Sequence, residues 1–321
     1  MNNSCFGVIG YKRHAAKHVE LLLNNSNVNK VVTYHPTIAL PGVTNDIRDI
    51  LNCDGIIIAS PTHTHLSYVK LLNYNNFVGG IFLEKPGFAS LEESRLLRNI
   101  VNSDSPLNIM IGYNYPYCSS IVAIIDILTS YDVGQIIKVA ITSCKGISYN
   151  KNFKDDWRSK DVHAVSHTLL GHHLSIFSAI TNEVYDFSHG DFVVRLYQNI
   201  DNSFYDTVTC QKSISYPLFD SLNTWGAPLV DLEISILCAN AIVKLIDDDL
   251  LFCYPRDTFD DAGLFAPPPL KQRLSFIDDG INKISEYFVD AVLGNMKFSK
   301  SRLIKDISIG ELAFRSNLVS L

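Results

Sequence analysis

A chain of 321 residues that is 47% hydrophobic can bury a substantial core, and its length favours about two domains. Lys and Arg number 27 against 33 Asp and Glu, a net charge of −6, with no block of like charge, so a nucleic-acid face is excluded from the expectations. No apolar run approaches the ~20 residues that span a bilayer, and the opening MNNSCFGVIGYKRH lacks the charged flank, long apolar stretch and cleavage site of a signal peptide; the expected setting is the cytoplasm, with no membrane partner.

In chain order, Cys5 to Gly10 reads as a short apolar strand and Ala15 to Leu23 as a helix, with turn residues between them. Lys30 to Tyr34 is a second strand, Asp46 to Leu51 a helical turn, Gly55 to Ala59 a third strand, and His65 to Leu72 a helix with apolar residues three and four apart. Val78 to Leu83 is a fourth strand, Leu91 to Val101 a helix and Leu107 to Gly112 a fifth strand. Such alternation implies right-handed crossovers and a Rossmann-type, doubly wound parallel sheet.

After Gly112 the pattern changes. Ser119 to Ser130 reads as an apolar helix, Gln135 to Ser143 as a strand and Ser166 to Ile180 as a helix. FVVRLY, FYDTVTCQ, LVDLEISILC and NAIVKLID then follow one another as strands. Strands without intervening helices suggest an α+β domain on a largely antiparallel sheet. Ile277 to Leu293 and Ile304 to Asn317 read as closing helices. The expected division is residues 1–115 as a dinucleotide-binding domain and 116–321 as a substrate and oligomerisation domain, its closing helices being the segments able to pack back on the first.

The seven cysteines include no C-x-x-C pair, which suits reduced, mostly buried thiols. A dinucleotide turn needs G-x-G-x-x-G: the first glycine for a tight bend, the second for close approach of the pyrophosphate, the third for helix packing. Here the stretch is Gly10-Tyr11-Lys12-Arg13-His14-Ala15. Only the first glycine is present, and Ala15 is an acceptable third residue. Lys12, Arg13 and His14 stand beside a predicted helix N-terminus, where N–H groups and the macrodipole already favour anions. The second strand ends in Tyr34-His35-Pro36 instead of the acid that grips the ribose of NAD. His35 has neither that carboxylate nor an arginine clamp beside it, so NAD and NADP stay equally open.

Four stretches together carry a family resemblance: the turn followed by Lys17-His18, the strand from Asp54 through Ser60-Pro61 to His65, Glu84-Lys85-Pro86, and Gly112-Tyr113-Asn114-Tyr115-Pro116-Tyr117. In order and spacing the chain resembles, over nearly its whole length, the glucose–fructose oxidoreductase/inositol dehydrogenase (Gfo/Idh/MocA) family of NAD(P)-dependent oxidoreductases. The resemblance implies that Ser60, Pro61, Thr62 and His65 lie along the nicotinamide and ribose, and that Lys85 is the catalytic proton donor and acceptor. Burial and cationic neighbours make a lysine less basic, so it can do this work near neutral pH. Glu84 would orient Lys85 or the ribose, and Asn114 and Tyr113 would hydrogen-bond nicotinamide or sugar. A plain surface lysine before a turn is the alternative for Lys85.

Relatives carry a second catalytic helix with an Asp and a His, and here the local match is HTLLGHHLSIF. His173 falls at the histidine position, but the acids become Leu169 or Leu170 and Ile176. Without a carboxylate to fix its tautomer, His173 is expected to bond substrate, with a buried core histidine as the alternative. His172 is a candidate substrate contact beside it. His163 and His167 have the i, i+4 spacing of metal ligands, yet the stretch offers no acid after Asp161 and the family chemistry needs no ion, so no metal is expected. Trp157-Arg158 sits where relatives have an aromatic–arginine pair, so Arg158 is either an anion clamp or a surface residue.

The expected activity is hydride transfer between NAD or NADP and a secondary alcohol or ketone of a sugar, a nucleotide sugar of surface-glycan synthesis being the specific form. The expected assembly is a homo-oligomer through the second domain's sheet. Two alternatives stay open: a relative that has kept the fold as a binding or regulatory protein without turnover, and a reductase of C=N bonds.

Overall fold

Short runs, four or five residues long except for the two-residue edge strand, become the strands of the first sheet, the central ones apolar on both faces and covered on both sides. They are β1 (Cys5–Ile9), β2 (Lys30–Tyr34), β3 (Val43–Thr44), β4 (Gly55–Ile58), β5 (Gly80–Leu83) and β6 (Asn108–Ile111), paired in parallel in the order β3-β2-β1-β4-β5-β6. The computed structural model describes residues 4–38, 40–103, 106–155, 157–182, 191–198, 203–227, 229–254 and 269–318. Ile56, Ile57, Ile58, Ile81 and Leu83 are fully buried, each contributing roughly 1.5–3 kcal/mol. The order reverses direction between β1 and β4, and that switch point is where open α/β sheets collect ligands, beyond the strands' carboxyl ends.

The crossovers are α1 (His14–Leu23), α2 (His65–Tyr74) and α3 (Leu91–Asn102). The start of α3 is capped by Ser90, whose Oγ accepts from the Glu93 N–H at 3.1 Å, while Glu93 accepts from the Ala89 N–H. A later helix, Gly280–Val292, lies on this sheet: Phe288 meets Phe6 and Phe82 edge to face. A Cβ on Gly80 would stand 2.6 Å from Val292 Cγ2 and from Phe298 Cζ, so the glycine admits the helix. Accordingly, one compact unit comprises Met1–Asn114 with Gly280–Glu311, and the other comprises Tyr115–Asp279 with Leu312–Leu321.

The second unit holds β7 (Ile136–Cys144), β8 (Phe192–Tyr197), β9 (Thr207–Lys212), β10 (Leu218–Thr224), β11 (Val230–Cys238), β12 (Ile242–Ile246), β13 (Asp249–Cys253), β14 (Leu270–Ser275) and β15 (Asn317–Leu318). Their order is β14-β13-β12-β11-β7-β10-β9-β8-β15, antiparallel except for β7 with β10 and β8 with β15. Alternation sorts the faces. Val139, Ile141, Phe219, Ile234, Ile236 and Val243 are buried, and Phe219 and Phe192 pack against Phe177 of the helix Gly171–Thr181. Leu222, Leu237 and Ile246 are exposed on the other face, where Lys138 and Asp220 pair across β7 and β10.

None of the cysteines is in a disulfide. Among the described residues no helix is long and apolar enough to cross a membrane, and no group of three His, Cys, Asp or Glu is placed to hold a metal ion.

Candidate active site

The strand ladder of the first unit runs one residue past the apolar core. The N–H of Ala59 donates to Ile9, that of Glu84 to Ile58 and that of Gly112 to Leu83, while Gly10 donates to Tyr34. Gly10, Ala59, Glu84 and Gly112 thus form one row at the carboxyl rim, and the expected cofactor and catalytic residues of this unit follow directly from it.

At Gly10 the backbone has a φ of +126°, and a Cβ would stand 2.8 Å from the Ala59 carbonyl oxygen and 3.1 Å from Ala15 Cβ. The bend requires glycine on both counts. Beyond it, Tyr11, Lys12, Arg13 and His14 are exposed and Ala15 is buried under the start of α1. Arg13 has φ 50° and ψ −111°, the conformation that type II′ turns fill with glycine, at a cost of about 1–2 kcal/mol for a side-chain-bearing residue. The turn therefore keeps its bend without the second glycine. It offers three cationic or basic side chains at a helix start, which suits a diphosphate.

After β2, half-buried His35 uses its Nδ1 to accept from the N–H groups of Thr37 at 3.2 Å and Ile38 at 3.1 Å. Its ring holds the turn, and no carboxylate stands in its place. After β4, the Ser60 hydroxyl lies 2.6 Å from Thr64 Oγ1, which donates to the Pro61 carbonyl at 2.7 Å. Pro61 is exposed and Thr62 half-buried, so this turn presents a polar rim.

His65 has a different job from the cofactor contact expected of it. Its ring is 1% exposed, and Nε2 lies 2.8 Å from the Ser60 carbonyl oxygen, inside the turn. Burial holds its pKa below the usual histidine range, against the opposing carbonyls of Ser60 and Pro86 and the Glu84 charge.

Glu84 and Lys85 leave the end of β5. Glu84 Oε1 is 2.7 Å from Nε2 of His18 on α1, a ring 0% exposed, and Glu84 Oε2 accepts from the Lys85 N–H at 3.1 Å. Burial alone would push the Glu84 carboxyl up. The His18 hydrogen bond and charge, with the charges of His14 and Lys85, outweigh it and hold the carboxyl below the usual range. Lys85 is half-buried. Asn114 is half-buried at the end of the unit, whereas Tyr113 is 2% exposed, its phenol pushed up in pKa by burial and then by Asp306. A hydroxyl so enclosed is a core group, not the ligand contact expected.

In the second unit His173 is 1% exposed. Nε2 is 3.0 Å from Ser143 Oγ, and Nδ1 is 2.8 Å from Ser221 Oγ and 3.2 Å from Asn223 Nδ2. Burial, with Lys145 nearby, depresses its pKa to about 3. The sheet engages both ring nitrogens, the arrangement of the buried core histidine that was the alternative for this position. His172 packs its ring edge to face with Tyr115, centroids 4.7 Å apart. Tyr115 Oη is 3.4 Å from Lys145 Nζ, which pairs with Asp231 at 2.9 Å. Trp157 and Arg158 fall in the short helix Trp157–Lys160, and their side chains lie outside the described ones.

Sequence reasoning missed His18 and Lys145 as members of these clusters. His18 had a signal, since it follows the first turn at the helical spacing that faces the sheet; Lys145, just past a strand end, had none.

No protein-family model matches the chain, and no curated protein sequence matches it. Solved structures do match in fold. A candidate NADPH-dependent oxidoreductase from Desulfitobacterium hafniense superposes with a TM-score of 0.77 at 12% identity, covering 98% of this chain and 96% of that one. The fold is that of these oxidoreductases. UDP-N-acetylglucosamine 3-dehydrogenase from Acidithiobacillus ferrooxidans matches with a TM-score of 0.72 at 14% identity over 98% and 97% of the two chains. A levoglucosan dehydrogenase in complex with NADH and levoglucosan matches with 0.73 at 18% identity over 98% of each.

Proposed function

We propose that the chain is a Gfo/Idh/MocA-type oxidoreductase that uses NAD or NADP to interconvert a secondary alcohol and a ketone on a sugar. The observation that carries this reading is the convergence of the glycine bend at Gly10, the polar turn at Ser60–Thr62 and the Glu84-Lys85-Pro86 turn on the rim beside the β1/β4 switch point. Gly10 lets backbone approach a diphosphate, Lys12, Arg13 and His14 add charge there, and Ser60, Pro61, Thr62 and Asn114 line the path of the nucleotide. A bound nicotinamide supplies or accepts the hydride. Lys85 takes the hydroxyl proton as the carbon is oxidised and returns it on reduction, and Glu84 holds the turn that carries it. Asp or Glu being absent at position 35, either cofactor fits the β2 end.

A nucleotide sugar is the specific substrate form we favour, because the opening turn with Lys17-His18 and the Gly112-Tyr113-Asn114 stretch resemble members acting on such sugars, and one fold relative is a UDP-N-acetylglucosamine dehydrogenase. Surface-glycan synthesis in the cytoplasm and pairing of subunits through the open sheet face bearing Leu222, Leu237 and Ile246 belong to the same reading. Mass spectrometry of ligand retained through purification tests it, together with turnover of UDP-N-acetylglucosamine and levoglucosan under both cofactors. Retention of NAD(P) or a sugar nucleotide supports it.

A second reading, a nucleotide-binding protein without turnover, is favoured by one feature: His173, the counterpart of a second catalytic group, is enclosed by Ser143, Ser221 and Asn223. Cofactor binding with no turnover of any sugar would select it.

A further inference from the structure

Two buried histidines each aim one nitrogen at a strand-end turn, His18 at the turn after β5 and His65 at the turn after β4. His18 Nε2 reaches Glu84 Oε1 at 2.7 Å, and His65 Nε2 reaches the Ser60 carbonyl at 2.8 Å, with the Pro86 carbonyl also acting on that ring. In both rings Nδ1 is buried and has no hydrogen-bond partner. That asymmetry fixes the tautomer. A carbonyl oxygen only accepts, and an ionised carboxylate only accepts, so Nε2 must carry the proton in each ring. A second proton on Nδ1 would be a buried donor without an acceptor, which is costly, whereas a bare Nδ1 lone pair costs far less.

We infer that His18 is an Nε2-protonated positioning residue that clamps the Glu84–Pro86 turn through the Glu84 carboxylate and thereby sets where the Lys85 amine stands, while His65, protonated on the same nitrogen, fixes the neighbouring Ser60 turn. His18 grips through a side chain: by occupying Oε1 it leaves Oε2 to accept the Lys85 N–H, so the carboxylate orients the lysine's backbone. His65 grips through backbone, holding the Ser60 carbonyl at the end of β4. Each histidine is itself fixed by a helix, His18 on α1, where its ring lies edge to face on Phe82 with centroids 5.1 Å apart, and His65 at the first position of α2. The crossover after β1 thus holds the turn after β5, and the crossover after β4 holds the turn from which it starts. The remaining titratable groups acting on Glu84 are His14 and Lys85, and those acting on His65 are Glu84 and His63. The inference rests on the proposed role of Lys85 only for its consequence in catalysis; the clamp itself is a statement about geometry.

Two measurements on the full chain test it without turnover. Ring ¹⁵N spectra of the wild type should show pyrrole-type Nε2 for His18 and His65; a pyridine-type Nε2 in either ring would overturn the assignment for that ring. Acylation of Lys85 by sulfo-N-hydroxysuccinimide acetate, read by peptide mass spectrometry against exposed Lys70, reports the position of the amine. His18→Leu should change the Lys85 rate about tenfold relative to Lys70, the scale of a lost hydrogen bond to a charged group, while His18→Gln, which keeps an N–H near the Nε2 position, should stay within about twofold. Equal rates in Leu and Gln variants that both remain folded would refute the clamp. If His18→Leu does not fold, the wild-type spectra decide. Survival of turnover in Lys85→Met would end the catalytic reading of that lysine and leave the clamp untouched.

Discussion

Buried histidines distinguish the two units. In the first, His18 and His65 each spend one ring nitrogen on a strand-end turn, and the turn that His18 holds carries a half-exposed lysine. In the second, His173 spends both nitrogens on serines and an asparagine of the sheet, and nothing around it leads to solvent. In the second both ring nitrogens find partners, whereas in the first each ring leaves Nδ1 without one. The two arrangements teach different things: polar burial that converges on a strand end positions a reactive group, while polar burial closed upon itself stabilises a core. Residue type alone does not separate the two.

The contrast predicts unequal consequences for substitution. Lys85→Met should lower turnover by about 10²–10⁴, the loss of a positioned acid and base, and leave the affinity for NADH or NADPH and the melting temperature nearly unchanged. His173→Leu should do the reverse. It strands the Ser143 hydroxyl, at about 1–3 kcal/mol for a group left without a partner, and leaves Ser221 and Asn223 only the bond between them. Thermal melts would show a loss of several degrees with cofactor affinity intact; a change in affinity without destabilisation would erase the distinction between the units.

The acid side of the stability curve sharpens it. His173 has a folded pKa of about 3, below its unfolded value near 6.5, so the unfolded state binds the extra proton and stability is lost as pH falls from about 6.5 towards 3, on the order of a few kcal/mol. Removing the imidazole should flatten that segment of the curve. In the first unit Asp306 behaves oppositely: burial, against the opposing charges of Arg302 and Lys305, raises it to about 6. The folded state then holds the proton longer than the unfolded one, and stability falls as pH rises from about 4 to 6. Asp306→Asn should gain about 1 kcal/mol at neutral pH, measured by urea unfolding; a loss would mean that the Arg302 contact outweighs burial.

Five strands of the parallel sheet were legible because most are continuous apolar runs, and their expected bounds differ from the observed ones by a residue or two; the two-residue edge strand Val43–Thr44 was too short to read. β10 was not legible either. Its inward positions Ser221 and Asn223 are polar because they bond His173, so the partner that explains them also hides the alternation. β14, LKQRLS, pairs along one edge only and needs no apolar face. The Gly10 bend and the Glu84-Lys85-Pro86 turn could be read from order and spacing. The roles of His65, Tyr113 and His173 could not, since a histidine or tyrosine near a strand end looks the same whether its polar atom faces a ligand or the core.

The most direct test is a fluorescence titration of the full chain with NADH and NADPH, following quenching of Trp157 and Trp225. Saturable binding of at least one cofactor by the wild type and by Lys85→Met, abolished by Gly10→Val, is the predicted result. Absence of binding of either cofactor to the wild type, or undiminished binding to a folded Gly10→Val variant, would contradict a nucleotide site at the β1/β4 switch point.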